Sequence, residues 1–238
     1  MGSRKSPKHL EARTPYELKD GTIVSGVTTI LGNLVAKPAL APWAWDLGRR
    51  GIDFRRYMEE TAAIGRLSHK LALQAFGGGK PDLENYSKAQ IEKAKNSLGS
   101  FRAWSKAHKV EPLMIETPLI SAQYEYGGTL DVYGKVDGVL ELMDIKSSAA
   151  VYPDHWYQLA AYWGLLHEAK KKVKRFRLLR IGRDESEGFD DLVKDNLFYE
   201  FNAFLAYLMI HKLQKNIKAA RTGFSVAEMD QMKTRREK

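Results

Sequence analysis

The chain has 238 residues, enough for one large α/β domain with a sizeable core, and carries 38 Lys and Arg against 29 Asp and Glu, a net charge of +9 that attracts polyanions without dictating a fold. It has no cysteine, which excludes disulfides, a thiol nucleophile, a thiolate zinc site and an iron–sulfur cluster. No apolar run approaches the roughly 18 residues that span a bilayer, and Met1-Gly2-Ser3-Arg4-Lys5 leads into no apolar signal segment, so a soluble, unexported, cytoplasmic protein without a membrane partner is expected.

Residues 1–15 are basic and turn-prone and read as a mobile arm. Residues 16–34 hold a Lys19-Asp20-Gly21 turn, then Thr22-Ile23-Val24 and Val27-Thr28-Thr29-Ile30-Leu31, runs too short to decide strand against helix. Pro38 and Pro42 punctuate a linker before Trp43 and Trp45. A helix is expected from about Asp53 to Phe76, stopped by Gly77-Gly78-Gly79-Lys80-Pro81. That glycine run lacks the Lys-Ser/Thr of a phosphate loop and follows a helix instead of a strand. From Asp82 to about Lys109, Ile91, Ala94, Leu98, Phe101 and Trp104 recur at helical spacing.

Two strands then follow, over 113–121 and 124–146, the second folded on itself. Pro153-Asp154 opens a helix running to about Lys171, Arg175 to Ile181 reads as a strand, and a long helix is expected from about Asp190 to Ala220. Charge is uneven along this half. Residues 170–183 hold eight Lys or Arg and no acid, and residues 211–238 hold eight against three acids. Such runs are often plain solvated faces, but two of them beside a candidate metal site point towards nucleic acid.

The most informative segment runs from Gly127 to Lys146. Asp137-Gly138 between β-formers is the signature of a two-residue hairpin, whose central residues both take positive φ. Counting back from that turn, Asp131 falls opposite Asp144, with Cβ atoms roughly 4.5–5.5 Å apart if no bulge intervenes. Lys146 shares the face of Asp144, as do Leu140 and Leu142, so the face is partly covered. Opposed carboxylates repel and call for a cation: Lys146 supplies part of the charge, and the oxygen donors suit Mg²⁺ or Mn²⁺. The plain alternative is a surface ladder of two acids and a lysine. Tyr133 and Lys135 share the Asp131 face, within reach of a substrate.

With this hairpin in hand, the chain resembles the PD-(D/E)XK nuclease superfamily, and most closely the RecB-type exonuclease branch, which includes phage enzymes and the mitochondrial genome maintenance exonuclease. The matching residues are Gly65-Arg66-Leu67-Ser68-His69, Gly128-Thr129-Leu130-Asp131, Asp144-Ile145-Lys146-Ser147-Ser148 and Gln158-Leu159-Ala160-Ala161-Tyr162, which together span roughly residues 60–165. Their order and spacing carry the resemblance, since an isolated Asp-x-Lys is common. It implies an α/β fold with a restriction-endonuclease-like core, a central mixed β-sheet flanked by helices, and helical N-terminal additions. One nuclease domain would cover residues 16–222, followed by a basic tail over 223–238.

The resemblance also implies roles. Asp131 and Asp144, the backbone carbonyl of Ile145 and His69 would hold one or two Mg²⁺ or Mn²⁺ ions, and Glu116 resembles a further acidic position of the branch. Lys146 would position the attacking water, with Gln158 and Tyr162, four residues apart on one helix face, orienting it or contacting DNA. Substrate contacts are implied for Ser147, Ser148, Tyr133, Gln158 and Tyr162. Without the family, His69 would more often be a satisfied core or surface group and Glu116 a strand-edge acid. The activity implied is a metal-dependent DNA exonuclease of little sequence specificity, acting in recombination, repair or replication in a bacterial or phage-infected cell. Alternatives are a flap- or branch-specific endonuclease and an inactive DNA-binding module. The partners would be DNA ends and a separate recombination, replication or helicase protein, since the chain shows no helicase domain. Relatives with a cysteine-held iron–sulfur cluster are set apart by the absence of cysteine.

Overall fold

The computed structural model describes residues 15–223 and 225–228. The arm expected over residues 1–15, save its last residue, and most of the tail expected over 223–238 lie outside the described residues. The strands are β1 (Tyr16–Glu17), β2 (Ile23–Gly26), β3 (Val110–Ser121), β4 (Tyr126–Val136), β5 (Val139–Lys146), β6 (Arg175–Ile181) and β7 (Phe189–Lys194). The helices are α1 (Val27–Leu34), α2 (Leu40–Arg49), α3 (Phe54–Gln74), α4 (Lys88–Ser105), α5 (Pro153–Glu168) and α6 (Phe198–Thr222). Among the described residues no helix is long and apolar enough to cross a membrane.

The strands form one seven-stranded mixed sheet, ordered β1-β2-β4-β5-β6-β7 with β3 paired to β4 off that path. Helices cover both faces, as expected from the sequence. On one face α1, α5 and α6 bury Ile30, Leu159, Leu166 and Phe204 with Leu142 and Leu178 of the sheet. On the other, α3 and α4 bury Leu73, Phe101 and Trp104 with Val132, Met143 and Ile145. The helix starts follow local chemistry: Asp53 caps α3 by accepting the Arg56 N–H, Ser87 and Gln90 form a capping box on α4, and Pro153 opens α5 where no N–H is needed.

The hairpin turns as its sequence dictates. Asp137 and Gly138 both have positive φ, 52° and 81°, and Val136 pairs with Val139, Tyr133 with Leu142 and Val132 with Met143. The ladder stops there, one pair short of Asp131 and Asp144. Because β3 occupies one edge of β4 throughout, β5 and β2 must share the other. β2 pairs in parallel with β4 at Tyr126 and Gly127, which leaves a fork along Gly128–Asp131.

Two expectations are corrected and one open question is decided. The Pro38–Pro42 linker is largely helix α2, because Pro42 sits in the first turn, where a missing N–H costs no intrahelical bond. Residues 22–31, where the sequence did not decide strand against helix, hold β2 followed directly by α1. The long final helix begins at Phe198, and residues 189–194 form β7 instead. Asp190 and Asp191 look like acids of a first helical turn, yet they face Arg180 and Arg177 across the antiparallel β6–β7 pair and take ion pairs from them.

Candidate active site

The fork in the sheet is where the predicted residues meet. Leu130 packs on the α5 side of the sheet and Val132 on the α3 side, although residues two apart on a strand should share a face. The alternation slips at Asp131. Opposite it on β3, Glu116 has a left-handed φ of 44° and the ladder passes from Ile115–Val132 to Thr117–Leu130 without a 116–131 pair. A non-glycine residue in this region is strained, and such strain clusters at functional positions.

Asp131 is buried and its carboxylate Oδ2 accepts the Ile145 N–H at 2.8 Å, a side chain standing in for the missing ladder bond. The same oxygen lies 2.8 Å from His69 Nε2, which α3 brings from the opposite layer. Burial works to lower the His69 pKa, but the charge and hydrogen bond of Asp131, aided by Asp144, outweigh it and leave the imidazole raised. Burial would likewise raise the Asp131 carboxyl, and here His69 and Lys146 overcome it and hold it low.

Asp144 is fully buried. Lys146 Nζ forms an ion pair with its Oδ2 at 2.7 Å, and beyond that contact neither carboxylate oxygen has a hydrogen-bond partner. Burial pushes the carboxyl up to about 6, with Asp131 adding to the rise and Lys146 opposing it. From Lys146 a chain runs into α5: Nζ donates to Gln158 Oε1 at 3.0 Å, and Gln158 Nε2 donates to the Tyr162 hydroxyl at 2.7 Å. Tyr162 is buried, and burial, with the charges of Asp144 and Asp131, raises its phenol well above the usual value. Gly128 makes this approach possible: a Cβ there would lie 2.6 Å from the Tyr162 ring.

The structure thus gathers His69, Asp131, Asp144, Ile145, Lys146, Gln158 and Tyr162 around one gap in the sheet. Among the described residues no three His, Asp or Glu side chains converge on a single point, because His69 and Asp131 face each other and Asp144 faces Lys146. The donor set nonetheless fits a divalent cation: a buried carboxylate with both oxygens unsatisfied beside a second carboxylate is what such an ion neutralises. Glu116 is exposed and across the strand from Asp131 by register. Ser147 and Ser148 are half-buried just past Lys146, Ser148 donating to the Ala150 carbonyl.

Tyr133 is a correction. It keeps the hairpin register opposite Leu142, and the face they share is core against α5, where Tyr133 is 4% exposed and donates to the Lys172 carbonyl at 2.9 Å, so it presents no substrate contact. The basic run over 170–183 is corrected in part, since Arg175 and Arg177 pair with buried Glu141 and Arg180 with Asp190. Arg183, the last residue of that run, has no such carboxylate partner for its guanidinium among the described residues. It lies just past the carboxyl end of β6, parallel to β5, the end where open α/β sheets gather their sites.

No family model matches this chain, and no curated protein does. Among solved structures it is similar to an alkaline exonuclease, LHK-Exo, from Laribacter hongkongensis, with a TM-score of 0.36 and 12% identity over 84% of this chain and 94% of that one. Its similarity to LHK-Exo in complex with dAMP has a TM-score of 0.37 and 13% identity over 84% and 94% of the two chains. At these scores the overlap assigns no residue a role.

Proposed function

We propose that this protein is a metal-dependent deoxyribonuclease that hydrolyses phosphodiester bonds as an exonuclease with little sequence preference. Asp144 carries the reading: a carboxylate with no exposure and no hydrogen bond, paired only by the ammonium of Lys146, is costly in a protein that holds no cation there. Asp131, Asp144 and the Ile145 carbonyl would hold a Mg²⁺ or Mn²⁺ ion, with His69 as a further ligand and Glu116 within one strand of it. When bound, such an ion acidifies water and offsets charge on the phosphoryl group.

The chain's own residues account for the rest. The Lys146 ammonium has three donors; Asp144 and Gln158 face two of them, leaving one to hold and orient the attacking water. Gln158 fixes the lysine along α5, and Tyr162 fixes Gln158. The net positive charge draws the DNA backbone, and phosphate contacts give affinity without sequence information. The sequence resemblance supports DNA over RNA and an exonuclease over an endonuclease. Unwinding would fall to a separate partner in recombination, repair or replication.

End-labelled linear DNA, single- and double-stranded, beside a circular single strand tests this with Mg²⁺, Mn²⁺ or EDTA, for wild type and Lys146→Ala. Metal-dependent loss of the linear substrate that needs Lys146 and spares the circle is expected. Cutting of the circle would replace the reading with an endonuclease, and binding without cutting would replace it with a DNA-binding module.

A further inference from the structure

Arg183 differs from the other arginines of its segment. Arg175, Arg177 and Arg180 each have a carboxylate partner, whereas the Arg183 guanidinium has no hydrogen bond or ion pair among the described residues, and its Nε is shut off from solvent. Burial outweighs the pull of Glu187, Tyr57 and Asp184 and leaves its pKa below the usual value. A guanidinium held this way is primed for an anion that the protein itself does not supply.

It lines a cleft of about 200 Å³ with Tyr57, Glu60 and Thr61 of α3, Lys93 of α4 and Ala149. The acids of this cleft are largely engaged. Glu60 pairs with Arg56 at 3.1 Å, and the Glu187 carboxylate accepts the Arg183 backbone N–H at 2.8 Å and lies 3.8 Å from Arg180. Asp184 is exposed. The Lys93 ammonium, like Arg183, has no partner among the described residues. The cleft adjoins the catalytic cluster through Gly65, one helical turn before His69: a Cβ there would lie 3.2 Å from Ser147 Oγ and 3.6 Å from Arg183 Nη2. Ser147 directly follows Lys146, so the free guanidinium stands beside the site on its α3 side.

We propose that this cleft binds a phosphate group of the substrate strand next to the scissile one, gripped by the Arg183 fork with Lys93 at its side. The identity of the ligand rests on the nuclease reading; the anion site rests on Arg183. The phosphate could be the monoester at a strand end or an internal diester, and a planar fork of donors suits two oxygens of either.

The full-length protein carrying Lys146→Ala, so that nothing is cut, is titrated in EDTA with internally labelled single strands bearing a 5′-phosphate, a 5′-hydroxyl or a 3′-phosphate, read by fluorescence anisotropy over a range of salt. Adding Arg183→Gln is expected to weaken binding about tenfold and to lower the salt slope by about one. The Tm should hold or rise, since no partner is lost. Arg183→Lys should restore the salt slope but only part of the affinity. A loss confined to one phosphorylated end identifies a terminal phosphate, and an equal loss on all three an internal one. Unchanged affinity and slope overturn the proposal, as does a fall in Tm that tracks the lost binding, which would make Arg183 a structural prop. Failure of the nuclease reading looks different: wild type would cut no linear DNA with any metal, while Arg183→Gln still weakened binding.

Discussion

Asp131 and Ile145 are joined by a hydrogen bond from the main chain of β5 to the side chain of β4, 2.8 Å long, at the position where the ladder between these strands ends. The carboxylate thereby faces the gap and stays anchored to the strand that carries Asp144 and Lys146. This is how a hairpin with regular register at its turn becomes irregular where its two acids and the lysine meet.

Asp144 gives the sharpest test. Asp144→Asn should abolish cleavage and yet stabilise the chelator-treated protein at pH 7.5 by about 1–3 kcal/mol, because burial penalises the ionised carboxylate by more than the Lys146 pair returns and pushes its pKa up to about 6. Thermal unfolding in EDTA checks the sign. With Mn²⁺ added, wild type should gain Tm by mass action and Asp144→Asn should not.

Gly128→Ala should act through Tyr162. A methyl 2.6 Å from that ring must push α5 off the sheet, costing about 1–3 kcal/mol and dragging Gln158 from Lys146. The expected result is a lower Tm together with a fall in kcat, measured at saturating DNA.

Stability should fall in mild acid because of His155. Its Nδ1 accepts the Tyr152 N–H at the start of α5, a bond that only an unprotonated nitrogen can accept. Burial, reinforced by the charge of Lys146, pushes its pKa down to about 4. Since the folded value lies below the unfolded value of about 6.5, the contribution is complete above pH 6.5 and is lost as pH falls towards 4. Urea unfolding at pH 7.5 and pH 5 should show wild type losing about 2–3 kcal/mol more than His155→Gln.

Glu141 holds two arginines in the sheet. It is 1% exposed and pairs with Arg175 and Arg177, and Arg177 reaches on to Asp191. Glu141→Gln takes from both arginines their shared buried carboxylate, leaving Arg177 with Asp191 alone, and should cost about 3–5 kcal/mol, with kcat of the remaining folded protein unchanged, as denaturant titration and single-turnover assays would show.

The hairpin and its charged face were legible in the sequence because one dipeptide sets both turn type and register, and register decides which side chains meet. His69 and the pair Gln158 and Tyr162 were legible only through family resemblance, since nothing local ties a histidine on α3 to a strand about sixty residues later. The burial of Tyr133 was half legible: the turn puts it opposite Leu142, but the cover over that face comes from α5 and the Lys172 carbonyl, later in the chain. β7 was hidden for a related reason, as Asp190 and Asp191 resemble helix-start acids until the arginines opposite them are known. Arg183 was hidden among its neighbours, where only the partners of the other three single it out.

The order in which the site is made follows from the pairing of β5. Asp144 lies beside Leu178 of β6 in the parallel ladder, so its burial waits on residues translated well after Lys146. A chain emerging from the ribosome would present both acids and the lysine in water before α5, which covers them, and β6, which flanks β5, had appeared. Competence to cut would therefore arrive late in synthesis, after the hairpin bearing the chemistry has already formed.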